Sequence, residues 1–262
     1  MAQTSLLRSF AIQRRVIGAL LLREVITRFG RHNIGFLWLF IEPMLFTLGI
    51  TTLWTLVKVT HGGSLPIAAF ALTGYSSILL WRNCSNRIIK AIEVNHSLLY
   101  HRNVRVLDVF MARVLLEICG ATMSLIVLTI AFSSLGMMSL PDDVWTVIVG
   151  WILLAWFAVG LSLVVGAASE QSEFVERVWH IITYLLFPLS GAGFMVDWLP
   201  KVARDLAYWV PMIHGTEMIR HGFFGNMVRT YEDPLYLAAV NTVLTLFGLA
   251  LVIAAGRKVE PE

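Results

Sequence analysis

The sequence predicts an all-α integral membrane protein, with six transmembrane helices, an amphipathic interfacial helix before them, and a re-entrant segment between helices 5 and 6. Two observations carry this. First, 57% of the 262 residues are hydrophobic and only 14% are charged, against roughly 45–50% and about 25% in soluble domains. With a mean hydropathy of +0.74, the polar side chains cannot clothe a water-facing surface, which excludes a soluble globular enzyme. Second, runs of about 20 apolar residues, long enough to cross a hydrocarbon core of about 30 Å, recur along the chain. Residues 1–262 therefore read as a single transmembrane domain.

Residues 1–33 hold the interfacial helix. Leu22, Val25, Ile26 and Phe29 fall on one side of it, and Arg23, Glu24, Thr27, Arg28 and Arg31 on the other. Such a helix lies in the headgroup plane with its charged face toward the cytoplasm, within reach of anionic lipid or a soluble partner. Glu24 and Arg28 stand four apart, spaced to pair.

Residues 34–196 hold spans 1 to 5. Span 1, residues 34–57, contains one acid, Glu42, beside the ladder-breaking Pro43. Its Gly35, Trp38, Glu42, Leu45 and Gly49 share a face, while Leu37, Ile41, Met44 and Leu48 form an aliphatic face expected to meet lipid. An intramembrane carboxylate costs roughly 2.5–3.5 kcal/mol to insert, so Glu42 is expected to point inward, to a partner or to water. Span 2, residues 66–81, is short. Span 3, residues 110–135, carries a stripe of Arg113, Glu117, Gly120 and Ser124, with the two charges spaced to bond each other. Span 4, residues 144–168, is uncharged and aligns Ala155, Ala158, Ser162 and Gly166 as a close-packing strip. Span 5, residues 178–196, aligns His180, Tyr184, Phe187 and Gly191, a half-polar aromatic face uncommon for lipid contact.

Residues 197–234 are too long for a tight loop, and their uncharged core, 206–216, is too short to span. They read as two short helices broken near Pro211, dipping into the membrane from the far side, with an amphipathic helix lying flat on the surface as the alternative. Backbone of this kind survives at membrane depth only where protein or a water-filled cavity satisfies it, as at a gate. Span 6 is residues 235–255, and residues 256–262 are a tail. Fifteen of the 20 Lys and Arg residues fall on the side of the N-terminus, so the positive-inside rule places both termini in the cytoplasm. No cleavable signal is expected, because Arg14, Arg15, Arg23 and Glu24 interrupt the early apolar residues.

Cys84 and Cys119 sit in apolar stretches and read as packing residues. No G-x-x-x-x-G-K-[ST] occurs, so any ATP must be handled by a partner. No metal is expected either: His214, Glu217 and His221 do not form the HExxH pattern. A net charge of +3 gives no reason to expect nucleic acid. The connection 82–108, rich in Arg and Asn, is the only sizeable cytoplasmic loop and the natural docking surface for a soluble partner. A membrane-embedded transferase would need clustered carboxylates or metal ligands, which the adjacent Asp142 and Asp143 do not make. A proton-driven carrier using Glu42 and Glu117 stays open.

The run Leu22-Arg23-Glu24, Thr27-Arg28-Phe29-Gly30, Gly35, Leu37-Trp38 and Glu42-Pro43 resembles the opening of permease subunits of ABC polysaccharide exporters. Ala91-Ile92-Glu93-Val94-Asn95, Val104, Asp108, Ala112-Arg113 and Leu116-Glu117 are similar to the KpsM-type capsule export permeases. So are Trp209-Val210-Pro211-Met212, His214, Glu217 and Arg220 before the last helix; the chain departs from the pattern at Val210, usually Asn, and Asn103, usually Pro. The resemblance implies a homodimeric channel in a bacterial inner membrane, without an ATPase site of its own. Two copies of a separate cytoplasmic ABC ATPase would bind the ATP and magnesium and energise export of lipid-linked capsular polysaccharide toward the periplasm. A periplasmic polysaccharide co-polymerase or adaptor and an outer-membrane export protein would continue the path; a permease for O-antigen or teichoic acid is the alternative. On this reading the ATPase-coupling candidates are Asn95, Leu98, Leu99, Tyr100, His101 and Arg102 with Arg23, Glu24 and Arg28. Trp38, Tyr184 and Phe187 would offer aromatic faces to the sugar, and Glu42 and His180 hydrogen bonds, along the translocation path. Trp198, Trp209, Pro211, His214, Glu217 and Arg220 would form the periplasmic gate.

Overall fold

The computed structural model describes residues 6–30, 33–57, 65–99 and 104–259. Among them all regular structure is helical: α1 (Leu6–Phe29), α2 (Asn33–Leu56), α3 (Ile67–Arg87), α4 (Ala91–Leu99), α5 (Val106–Ser134), α6 (Val144–Gln171), α7 (Glu173–Leu189), α8 (Lys201–Ala207), α9 (Pro211–Phe224) and α10 (Pro234–Val259), with two short 3-10 turns. Local chemistry sets several boundaries. Asp143 caps α6 by accepting from the backbone N–H of Trp145 and Thr146, and its carboxyl is held below its usual range, chiefly by the Thr146 hydroxyl. Asp233 does the same for Leu235 and Tyr236 at the start of α10. Pro211 opens α9 at its first turn, where its missing N–H costs nothing. The two short helices and the break before Pro211 therefore stand where the sequence places them.

Among the described residues four helices are long and apolar enough to cross a membrane: α2 from Leu37, α5, α6 and α10 to Arg257. The two other expected spans differ for separate reasons. α3 continues past Trp81 to Arg87: it is buried from Ala68 to Trp81, and its polar last turns are half-buried at Arg82, Asn83 and Asn86 and exposed at Arg87, where these side chains meet the polar groups of neighbouring helices rather than a lipid face. α7 is only 17 residues long, and the chain then turns at Gly191, which has φ +79°.

α6 is the centre of the bundle, packed by α10, α9 and α3. Small residues set the approach of its neighbours. A Cβ on Gly248 would lie 2.6 Å from that of Leu163, so α10 and α6 meet almost backbone to backbone. Across the same seam Asn241 donates to the Leu153 carbonyl at 2.8 Å, and Trp156 to the Thr245 hydroxyl at 3.0 Å. Of the expected strip, Ala158, Ser162 and Gly166 are buried, with Gly166 against Ile88 and Phe110. α9 lies antiparallel beside the first third of α6: Gly215 faces Leu154, Gly150 faces Ile219, and Gly222 faces Val147. Its N-terminal end is thus alongside Leu154, about 15 Å along α6 from Val144.

α2 buries Leu39, Pro43, Thr47 and Thr51. Its threonine hydroxyls are satisfied within the helix, Thr47 to Pro43, Thr51 to Thr47 and Thr55 to Thr51. Of the face expected to meet lipid, Met44 and Leu48 instead pack against the core, while Trp38, Glu42, Leu45 and Gly49 are exposed. Cys84 is buried as expected, but Cys119 is exposed, because it stands off the buried stripe of Glu117, Gly120 and Ser124. A Cβ on Gly74 would collide with the Ala192 carbonyl and lie 2.8 Å from Arg220 Nη2, whereas one on Gly49 meets nothing within 4 Å. Gly74→Ala is therefore expected to destabilise the protein by about 1–3 kcal/mol and Gly49→Ala to leave it unchanged, as read by thermal unfolding in detergent.

Candidate functional site

The two i,i+4 pairs legible in the sequence, Glu24/Arg28 on α1 and Arg113/Glu117 on α5, exchange partners across the helices. Arg28 pairs with Glu117, and Arg113 with Glu24 at 3.2 Å. Glu117 is only 7% exposed, so removing one partner strands a buried charge, a loss of about 3–5 kcal/mol. Arg23 donates to Asn95 at 2.6 Å, and Gln13 to Asp108. The charged side of α1 thus faces α4 and α5 rather than headgroups or a soluble partner, while Leu22 and Ile26 point outward. The reversal has a simple cause: opposite charges on a neighbouring helix are available to these side chains, and none is available to the leucine and isoleucine.

α4 is fixed from behind. Asn95 and Leu99 are buried, Leu98 is half-buried, and the Ile92 N–H donates to Glu170 at 2.9 Å. Lys90, in the left-handed region at φ 56°, sits 3.1 Å from Glu176, whose hydrogen bond holds the Lys90 ammonium above its usual range. The outward face of α4 is Glu93, Val94, His96 and Ser97. Tyr100, His101 and Arg102 lie outside the described residues.

Two adjoining cavities open beside this clamp. One, of about 310 Å³, lies among Glu24, Arg28, Asn86, Arg87, Arg113 and Glu117. The other, of about 380 Å³, is lined by Glu42, Phe46, Arg82, Asn83, Asn86, Arg87 and His180, among others. Arg87 stands between the two, 3.1 Å from the Glu42 carboxylate and 3.9 Å from that of Glu117. The Arg82 guanidinium lies over the Tyr184 ring at 4.9 Å. Glu42, His180 and Tyr184, predicted from two separate spans, therefore come together. Trp38 is exposed one turn earlier on α2.

From this polar end a line of aromatic contacts runs along α2, α3 and α7. Tyr75 touches Phe46 at 5.7 Å, Phe187 at 5.8 Å and Trp54 at 5.4 Å; Trp54 touches Phe70 at 6.0 Å, and Phe70 stacks on Trp198 at 5.2 Å. The line ends at Arg220, whose guanidinium covers the other contact of Phe70 at 4.1 Å.

Arg220 is fully buried and donates to the carbonyls of Gly191, Ala192 and Phe194 at 2.5–2.8 Å. Glu217, 3.8 Å from Arg220, accepts from the backbone N–H of Val196 and Tyr231. His214 donates from Nε2 to the Tyr208 carbonyl and accepts at Nδ1 from the Asp233 N–H, which fixes a neutral ring. Three of the six expected gate residues are thus buried braces that tie α9 to the turns around it. Trp198 and Trp209 remain exposed, the latter against Tyr236.

Sequence reasoning singled out neither Arg82 nor Asn86 nor Tyr75. Their signal is the stripe Tyr75, Leu79, Arg82, Asn86 at helical spacing, which the drop in hydropathy after Trp81 conceals.

A model described as ABC-2 type transporter matches residues 15–224. The chain belongs to this family. The ABC-2 type chain is 48% identical to the capsule polysaccharide export inner-membrane protein CtrC of Neisseria meningitidis serogroup B, over 99% of this chain and 98% of that protein. It is 46% identical to BexB of Haemophilus influenzae, also a capsule polysaccharide export inner-membrane protein, over the same shares. The polysialic acid transport protein KpsM of Escherichia coli is 26% identical over 92% of this chain and 94% of its own.

Arg220→Met would leave three backbone carbonyls without their donor and Glu217 without its counter-charge. It is expected to cost at least about 3 kcal/mol and to make a cysteine placed at Thr216 reactive to a membrane-impermeant thiol reagent, where the parent chain protects it.

Proposed function

We propose that this chain is the membrane channel subunit of an ATP-driven exporter that carries lipid-linked capsular polysaccharide from the cytoplasm toward the periplasm. The observation that carries the reading is the end-to-end similarity to capsule polysaccharide export inner-membrane proteins. On this reading the protein sits in a bacterial inner membrane as a homodimer, with α2, α3, α5, α6, α7 and α10 as six crossings and both termini in the cytoplasm. α8 and α9 form the re-entrant periplasmic gate, for which the depth of α9 beside α6 gives support.

The clamp end is the coupling end. Two copies of a soluble ATPase, which bring the ATP and magnesium, dock on α4 and the connection after it. Asn95 and Leu99 hold α4 in place and Val94 is presented, and Tyr100, His101 and Arg102 are the further docking candidates by their place in the sequence. Arg23, Glu24 and Arg28 carry motion of α4 and α1 into α5. Trp38, Glu42, His180, Tyr184 and Phe187 line the path, where aromatic faces match the apolar C–H faces of sugars and sparse polar groups let the polymer slide. The gate is formed by Trp198, Trp209 and Pro211, with His214, Glu217 and Arg220 bracing it from within. A periplasmic adaptor and an outer-membrane export protein continue the route.

A tagged chain is expected to bring down a soluble ATPase and to hydrolyse no ATP without it. Val94→Asp should break that association while the chain still folds; retention of the ATPase by this variant would move the docking site elsewhere. Trp38→Ala and Tyr184→Ala should lower surface capsule severalfold with the dimer and the ATPase still bound. If either substitution dissociates the dimer in detergent, these aromatics pack the dimer interface instead.

A further inference from the structure

Four guanidiniums line the two adjoining cavities, and three of them have carboxylate partners: Arg28 with Glu117, Arg87 with Glu42, and Arg113 with Glu24. Among the described residues Arg82 has none. It lies over the Tyr184 ring, and its buried Nε has no hydrogen-bond acceptor. The ring attracts the cation but cannot accept the in-plane hydrogen bonds of a guanidinium. Arg82 stands five residues before the end of α3, about 7.5 Å inward of Arg87 along the helix. An arginine at such a place is costly unless an anion or water meets it.

The surroundings favour an anion. Among the described residues Glu42 is the only acid on this cavity, and it is already held by both contacts from Arg87. Asn83, Asn86 and His180 add groups able to donate around the same space of about 380 Å³. That space exceeds what one phosphate needs and leaves room for an adjoining sugar or glycerol. Pro43, Phe46 and Leu79 form an apolar wall, and the exposed Ile181 and Leu185 flank Tyr184 on α7. A site with a guanidinium fork, amide donors and an apolar approach suits a phosphate ester attached to an acyl chain, because the fork offers parallel donors to two oxygens of one group.

We infer that Arg82, with Asn83, Asn86 and His180, forms a subsite for the phosphate ester that joins the lipid anchor to the polymer. This rests on the reading that the cargo is lipid-linked, and it assigns the anchor's phosphate, rather than the sugars, as the group recognised at the polar end of the path.

The test uses the full chain in neutral maltoside micelles with dioctanoyl phosphatidic acid and dioctanoylglycerol as probes. The phosphate lipid is expected to bind at least about tenfold more tightly than the phosphate-free one. Arg82→Gln should erase that difference, and Arg257→Gln, at the tail of α10, should keep it. Arg82→Lys, which preserves the charge but not the fork, should retain part of it; thermal melting of each variant separates loss of binding from loss of fold. Equal binding by Arg82→Gln and the parent overturns the proposal, as does equal binding of the two lipids. Displacement by equimolar inorganic phosphate would show that the site reads free phosphate and would overturn the anchor assignment. So would equally tight binding of a carboxylated oligosaccharide. Surface capsule in cells carrying the parent chain tests the cargo reading on its own: if capsule is exported but the lipid preference is absent, only the subsite falls.

Discussion

The exchange of charges between α1 and α5 is the constraint around which one end of this molecule is arranged. Each helix carries an acid and a base four residues apart, and either pair could have closed on its own helix for a few tenths of a kcal/mol. Crossing over instead ties two helices together at Arg28–Glu117 and Glu24–Arg113. The positions of the neighbouring parts follow from it. α1 turns its apolar side outward, Arg23 reaches Asn95 and so fixes α4, and Arg87 is drawn between Glu117 and Glu42. Buried pairs of this kind add little net stability but penalise any arrangement that parts them, which makes them a means of specifying one packing.

At the other end a single cation does comparable work on backbone. The chain from 190 to 196 leaves α7 without entering another long helix, so its carbonyls need donors that no helical ladder supplies. Arg220 provides three, and Glu217 satisfies two N–H groups from the flanking turns. His214 closes the connection into α10. The same substitution that would seem mild in a gate loop is therefore severe in a brace.

Much of the fold was legible because apolar runs of span length are a strong signal and helix-breaking prolines are local. Pro211 and Pro66 marked true boundaries, and the small residues of α6 marked close packing. What was not legible was the partner of each charge. Glu24 and Arg28 looked self-sufficient, Leu99 looked available, and Arg220 looked like a gate residue, because spacing reveals which side chains share a face but not what that face meets. A hydropathy reading ends α3 at Trp81, since it cannot know that Arg82 finds the Tyr184 ring and Arg87 the Glu42 carboxylate on neighbouring helices. For the candidate site, Glu42, His180 and Tyr184 were recognised one span at a time as unusual in lipid, and their meeting point required the tertiary structure.

The burial of α3 has a mechanical consequence. Gly74, near its middle, is wedged against Ala192 and Arg220, and Arg87 at its end is gripped by Glu42. Thirteen residues of uninterrupted helix, about 20 Å, separate those two holds, and a helix resists compression along its axis far better than a loop does. α3 is thus a strut pinned at both ends. Neither anchorage can shift lengthwise while the other stays at rest.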